Sequence, residues 1–124
     1  MKNKTNPVGW FEIYVQDMKR AKKFYEKTFA MKLEALPSPI IEMQAFPMGQ
    51  KLPGCAGSRQ DGVKGSGGGG TIVYFSCVNC AVEAGRAKKN GGKIFKKKFS
   101  IGDYGFIALV VDTEGNMIGL HSMK

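Results

Sequence analysis

The two halves of this chain repeat one order of elements, and that repetition limits the possible folds more than any single motif. Residues 9–15 alternate as a strand does, with Phe11, Ile13 and Val15 on one face and Trp10, Glu12 and Tyr14 on the other. Asp17 is a candidate N-cap for a helix over 18–29, in which Met18, Ala21, Phe24, Tyr25 and Phe29 recur at three- and four-residue steps. Strands are expected around 32–35, 40–48 and 56–60, separated by Pro37, Pro39 and Pro53. The second half begins the same way. A β-branched strand over 71–78 leads to Asn79, which caps a helix over 81–89 that ends at Asn90-Gly91-Gly92. Strands over 93–98, 106–111 and 117–122 complete it, the last two joined by the turn Asp112-Thr113-Glu114-Gly115-Asn116. An offset of 63 lays Val15 on Val78, Ala21 on Ala84 and Trp10 on Val73.

The expected fold is therefore α+β: two paired β-α-β-β-β modules forming a curved mixed sheet around a cleft. One domain spans 1–124, with the first module over about 8–61, a join over 62–70 and the second module over about 71–123. The join contains Gly-Ser-Gly-Gly-Gly-Gly, which has almost no side chain to pack. It runs into a strand and not into a helix through Gly-Lys-Ser/Thr, so it is not a phosphate loop.

Composition narrows the function. With 43% hydrophobic residues in 124, the chain can bury one core, and its longest apolar runs fall far short of the ~20 residues of a membrane span. The basic N-terminus leads to Trp10-Phe11-Glu12 and not to an apolar signal core, so a cytoplasmic location is expected. Cys55, Cys77 and Cys80 make an odd count, which argues for reduced thiols. Cys77-Val78-Asn79-Cys80 matches C-x-x-C, but Cys77 is expected inside the strand, where a redox motif does not belong. The net charge of +9 would suit nucleic acid or an anionic ligand. Its lysines fall on outward helix faces and beside a strand, without aromatic interleaving or a nucleic-acid-binding motif, which argues against a nucleic-acid partner.

Taken together, these segments resemble the vicinal oxygen chelate superfamily, which includes glyoxalase I, bleomycin-resistance proteins and extradiol dioxygenases. The resemblance is strongest to its lactoylglutathione-lyase-related group. It is carried by Trp10-Phe11-Glu12-Ile13-Tyr14-Val15-Gln16-Asp17 running to Phe24-Tyr25, by Val73-Tyr74-Phe75, and by Tyr104-Gly105-Phe106 through Asp112 to Gly119-Leu120-His121-Ser122. It implies a cleft that binds a small organic molecule, a glyoxalase-like fold and pairing of two copies into a homodimer. In members that do metal chemistry, the ligands come from the first strand of each module and the last strand of the second. Here those places hold Trp10, Val73 and Gly119, none of which offers an imidazole, carboxylate or thiolate. No cofactor is expected; the alternative is a register shifted by two, which would bring in Glu12 and His121 as two ligands of a divalent metal without a convincing third.

Strand alternation puts Glu12 with Trp10 and His121 with Gly119 on the faces expected to line the cleft. Glu12 and His121 are thus the candidate catalytic pair, a carboxylate able to orient an imidazole for proton transfer. Trp10, Tyr14, Gln44, Val73, Phe75 and Gly119 are the candidate ligand-binding residues. The alternative is passive binding: a resistance-type protein that sequesters a drug or metabolite unchanged.

Overall fold

The computed structural model describes residues 11–37, 42–47 and 71–124 with their side chains, and residues 57–60 by backbone. The elements run β1 (Ile13–Tyr14), α1 (Met18–Phe29), β2 (Glu34–Leu36), β3 (Glu42–Ala45) and β4 (Gly57–Gln60) in the first module. The second has β5 (Val73–Ser76), α2 (Cys80–Lys89), β6 (Lys93–Ser100), β7 (Phe106–Val111) and β8 (Met117–Ser122), with a single 3-10 turn, Gly102–Tyr104, between β6 and β7. Each module is β-α-β-β-β, as its hydrophobic periods and caps predict. Trp10 and the glycine-rich join lie outside the described residues.

Each module closes a four-stranded sheet, in the orders β1-β4-β3-β2 and β5-β8-β7-β6. The helix carries the chain back over the sheet, so the first strand of each module pairs parallel with its last, and the other pairs are antiparallel. Both N-caps work as expected: Asp17 accepts from the Arg20 amide and Asn79 from the Ala81 amide. The buried stripe of α1 is Met18, Ala21, Phe24, Tyr25 and Thr28, and that of α2 is Cys80, Ala84 and Ala87. These stripes meet Ile13, Val15, Ala108, Val110, Ile118 and Leu120 in one core shared by the two modules. No helix among the described residues is long and apolar enough to cross a membrane.

The register corrects the expected face of β5. Val73 pairs with Ile118 and Phe75 with Leu120, both buried, whereas Tyr74 pairs with Gly119 and Ser76 with His121. Val73 and Phe75 therefore point to the helix side, and Phe75 stacks on Phe29 at a centroid distance of 4.4 Å. The cause is the spacing between the modules. Asp17 and Asn79, the two caps, are 62 residues apart, while the helix interiors match at 63 through Ala21 and Ala84. Val15 thus corresponds to half-buried Cys77, and Val78 is 75% exposed. A one-residue slip turns a strand over. Gln44 is corrected in the same way: it pairs with Ser58, which pairs with the buried core residue Ile13, so it lies under the helices and not in the cleft.

The modules are bolted together by the 112–116 turn. The Glu114 carboxylate accepts from the amides of Gln16 (2.9 Å) and Asp17 (3.0 Å), from Arg20 Nε (2.7 Å) and Nη2 (2.9 Å), and from the Thr113 hydroxyl (2.9 Å). Its side chain is fully buried. Burial alone would raise its pKa, but the Arg20 bonds and the two amides outweigh it and hold the carboxyl at about 2. Beside it, Tyr25 donates to Asp112 Oδ2 at 2.6 Å, and Asn116 Nδ2 reaches the Tyr14 carbonyl at 2.9 Å.

Candidate functional site

The face of the second sheet away from the helices follows from register, because residues paired across adjacent strands share a face. On it stand Tyr74 and Ser76 of β5, Met117, Gly119 and His121 of β8, and Ile107, Leu109 and Val111 of β7. The last three are only half-buried, although their neighbours on the other face, Ala108 and Val110, are 0% exposed. A cavity of about 360 Å³ opens on this floor, lined by Tyr74, Ser76, Ile101, Tyr104, Ile107 and His121. Tyr74 and Tyr104 are 47% and 77% exposed, so two aromatic rings stand in water at its rim.

Gly119 determines where Tyr74 goes. A Cβ at residue 119 would drive into the Tyr74 ring, so the ring lies across the glycine from the neighbouring strand. His121 is held from the other side. Its Nε2 lies 2.6 Å from the Tyr104 carbonyl oxygen, which can only accept; Nε2 therefore carries the proton, and Nδ1 is a free lone pair in the neutral ring. The connection that delivers this carbonyl closes on itself through Ile101 N–H to the Gly105 carbonyl at 2.9 Å. Gly105, at φ 100, runs so close to the Ser122 carbonyl that no side chain fits there.

Glu12 occupies a different cavity, of about 290 Å³, with Ile13, Tyr14, Thr71, Val73, Asn116, Met117 and Ile118. Tyr14 donates to its Oε1 at 3.2 Å. Val73 reaches this cavity from the helix side of β5, which separates it from Gly119. Glu12 and His121 thus line separate cavities: the structure brings Glu12, Tyr14 and Val73 together in one, and sets His121, Gly119 and Tyr74 around the other. Tyr74, Ser76 and Tyr104 are floor residues that sequence reasoning missed. Shifting the repeat by one residue, to match the two caps, would have found the first two.

The residues present do not fit the metal of the family resemblance. Residue 119 has no donor and is covered by Tyr74, Val73 faces the other way, and no three His, Cys, Asp or Glu side chains gather as a metal site among the described residues. The C-x-x-C segment lies differently from expectation, since β5 ends at Ser76 and Cys80 opens α2. Burial first, then Glu83, pushes the Cys77 thiol up to about 12, which disfavours its thiolate, and Cys80 is fully buried.

The profile of the Glyoxalase/Bleomycin resistance protein/Dioxygenase superfamily matches residues 8–120. Among solved structures, glyoxalase I from Zea mays is similar at a TM-score of 0.71 and 23% identity, over 94% of this chain and 46% of that one. This chain thus spans about half the length of the maize protein. A glyoxalase/bleomycin resistance protein from Albidiferax ferrireducens matches at 0.68 and 20% identity, over 93% of this chain and 98% of that one. A glyoxalase-related enzyme from Fulvimarina pelagi matches at 0.68 and 14%, over 95% and 88%. At these identities the likeness speaks for the fold. No curated protein matches the sequence significantly.

Proposed function

Since the chain belongs to the glyoxalase/bleomycin resistance protein/dioxygenase superfamily, we propose that it binds a small organic molecule on the open floor of its second module, without a metal. The observation that carries this reading is the cavity of about 360 Å³ framed by two exposed tyrosines, with the His121 imidazole at its base. Exposed aromatic rings around a concave apolar floor with one oriented polar group are the usual ingredients of a small-molecule pocket. The free Nδ1 would accept a hydrogen bond from the ligand, Ser76 would offer a hydroxyl, and Tyr74 and Tyr104 would cover its apolar body.

Binding is favoured over turnover because Glu12 lines the other cavity, and the described lining of the His121 cavity contains no carboxylate to relay or orient a proton. A lyase-like enzyme using Glu12 with His121 as an acid–base pair is the second reading, and it requires the two cavities to join. Pairing of two copies belongs to the same proposal, since β6 is the edge strand of its sheet away from the β5 cavity shared with β1, and open edges invite another chain. Sedimentation at increasing concentration reads that part: a dimer supports it, and a monomer throughout removes it.

A thermal-shift screen of small organic compounds in chelator, repeated with added zinc, nickel and manganese, tests the function. The expected compounds raise the melting temperature equally in both conditions and lose their effect in Tyr74→Ala and His121→Gln. Shifts seen only with added metal would overturn the metal-free reading.

A further inference from the structure

We propose that this floor selects flat anionic ligands and that Lys96 is the residue that reads their charge; the inference rests on the floor being the ligand site. The observation behind it is an irregularity in β6. Against β7, Lys93 pairs with Val111, Ile94 with Val110, Lys96 with Leu109, Phe99 with Ile107 and Ser100 with Phe106, with register shifts on either side of Lys96. In an unbroken strand, residues three apart face opposite ways, so Lys96 and Phe99 could not share a side. The shifts turn one of them over, as bulges do. Both then pair with floor residues, and the Lys96 ammonium lies 4.3 Å from the centre of the Phe99 ring. Lys98 confirms the alternation from the other face: its ammonium sits over Phe106 and donates to Asn79 at the start of α2.

The floor therefore carries two rows. One runs Tyr74, Gly119, Leu109, Lys96, and the next Ser76, His121, Ile107, Phe99. Neighbouring strands lie ~4.8 Å apart, which sets the β6 end of each row roughly 10 Å from β8. Between the two polar ends lie only the half-buried side chains of Ile107 and Leu109. No carboxylate pairs with Lys96 among the described residues. A cation resting on an aromatic face keeps N–H donors for a second partner. A flat molecule about as long as that gap could lie on Ile107 and Leu109, put an acidic group against Lys96 and meet His121 with its other end.

Cinnamate and its neutral isostere cinnamamide separate charge from shape. Amide NMR titrations following Gly119 and His121 are compared for the native protein, Lys96→Gln and the control Lys97→Gln, which alters an exposed neighbour of the same charge. Native protein and control should bind cinnamate roughly five- to tenfold more tightly than cinnamamide, a preference that shrinks in high salt. In Lys96→Gln the preference should fall to about one while cinnamamide affinity stays as it was. A preference that survives Lys96→Gln, or is missing from the native protein, overturns the charge-reading role and leaves the floor as a neutral site. Failure of both compounds to move the Gly119 and His121 amides would remove the floor as the site of binding, and the inference with it.

Discussion

The 112–116 turn and the floor of the second sheet share strands β7 and β8, yet they spend their polar groups in opposite ways. In the turn nearly every polar side chain is engaged: Glu114 alone receives five hydrogen bonds, four of them from residues of the first module. On the floor, two tyrosine rings, one imidazole nitrogen and a lysine face outward. A saturated network locks one arrangement and has nothing left to offer a ligand. An open one adds little to stability and retains its capacity to bind. Substitutions in the two regions should accordingly separate folding from binding.

The largest effect is expected at the turn. Glu114→Gln leaves Arg20 without its counter-charge and puts an amide where five donors converge; with the Arg20 end half exposed and screened by water, chemical denaturation should show a loss of about 2–4 kcal/mol. The same carboxylate sets an acid limit. Its folded pKa of about 2 lies below the ~4.3 of an unfolded glutamate, so its contribution is complete above about pH 5 and is lost as pH falls toward about 2. Burial raises the Asp112 pKa, so that group acts in the opposite sense, favouring the fold as pH falls. Stability measured from pH 6 to pH 2 should therefore fall more steeply in the native protein than in Glu114→Gln. Equal slopes would mean that Glu114 is not held as described.

A middle-sized effect is expected where floor and sheet meet. Gly119→Ala pushes a methyl group into the Tyr74 ring and should cost about 1–3 kcal/mol. Tyr74→Ala in the same chain should recover most of that loss, since the two residues are coupled through one contact. Strict additivity would show that the ring does not lie over the glycine. The smallest effects are expected at the rim. His121→Gln and Tyr104→Ala should change stability by no more than about 0.5 kcal/mol while abolishing the thermal shift of any compound that binds.

Much of this was legible in the sequence. The period of 62 or 63 residues, the caps Asp17 and Asn79 and the alternation of β8 place the modules, their helices and the outward face of Gly119 and His121. The face of β5 was not legible, because Ala21 and Ala84 favour one offset and the caps the other, and a strand cannot tolerate that difference. Gln44 failed for a related reason: which side of β3 meets the helices depends on its pairing through β4 to Ile13, which no local pattern encodes. The role of Glu114 was hidden as well. Its partner Arg20 lies 94 residues away, and the turn reads only as a turn. The β6 irregularity left no mark beyond a run of lysines.

The claim that His121 serves the floor by itself is tested most directly by nitrogen NMR of its ring, unambiguous because the chain has one histidine. The spectrum is recorded in chelator, with and without cinnamate, in the native protein and in Glu12→Gln. The neutral ring should carry its proton on Nε2, the Nδ1 resonance should move when cinnamate is added, and both results should be the same in Glu12→Gln. A proton on Nδ1, or a response to cinnamate that disappears with the Glu12 carboxylate, would contradict the separation of the two cavities and restore Glu12 and His121 as one acid–base site.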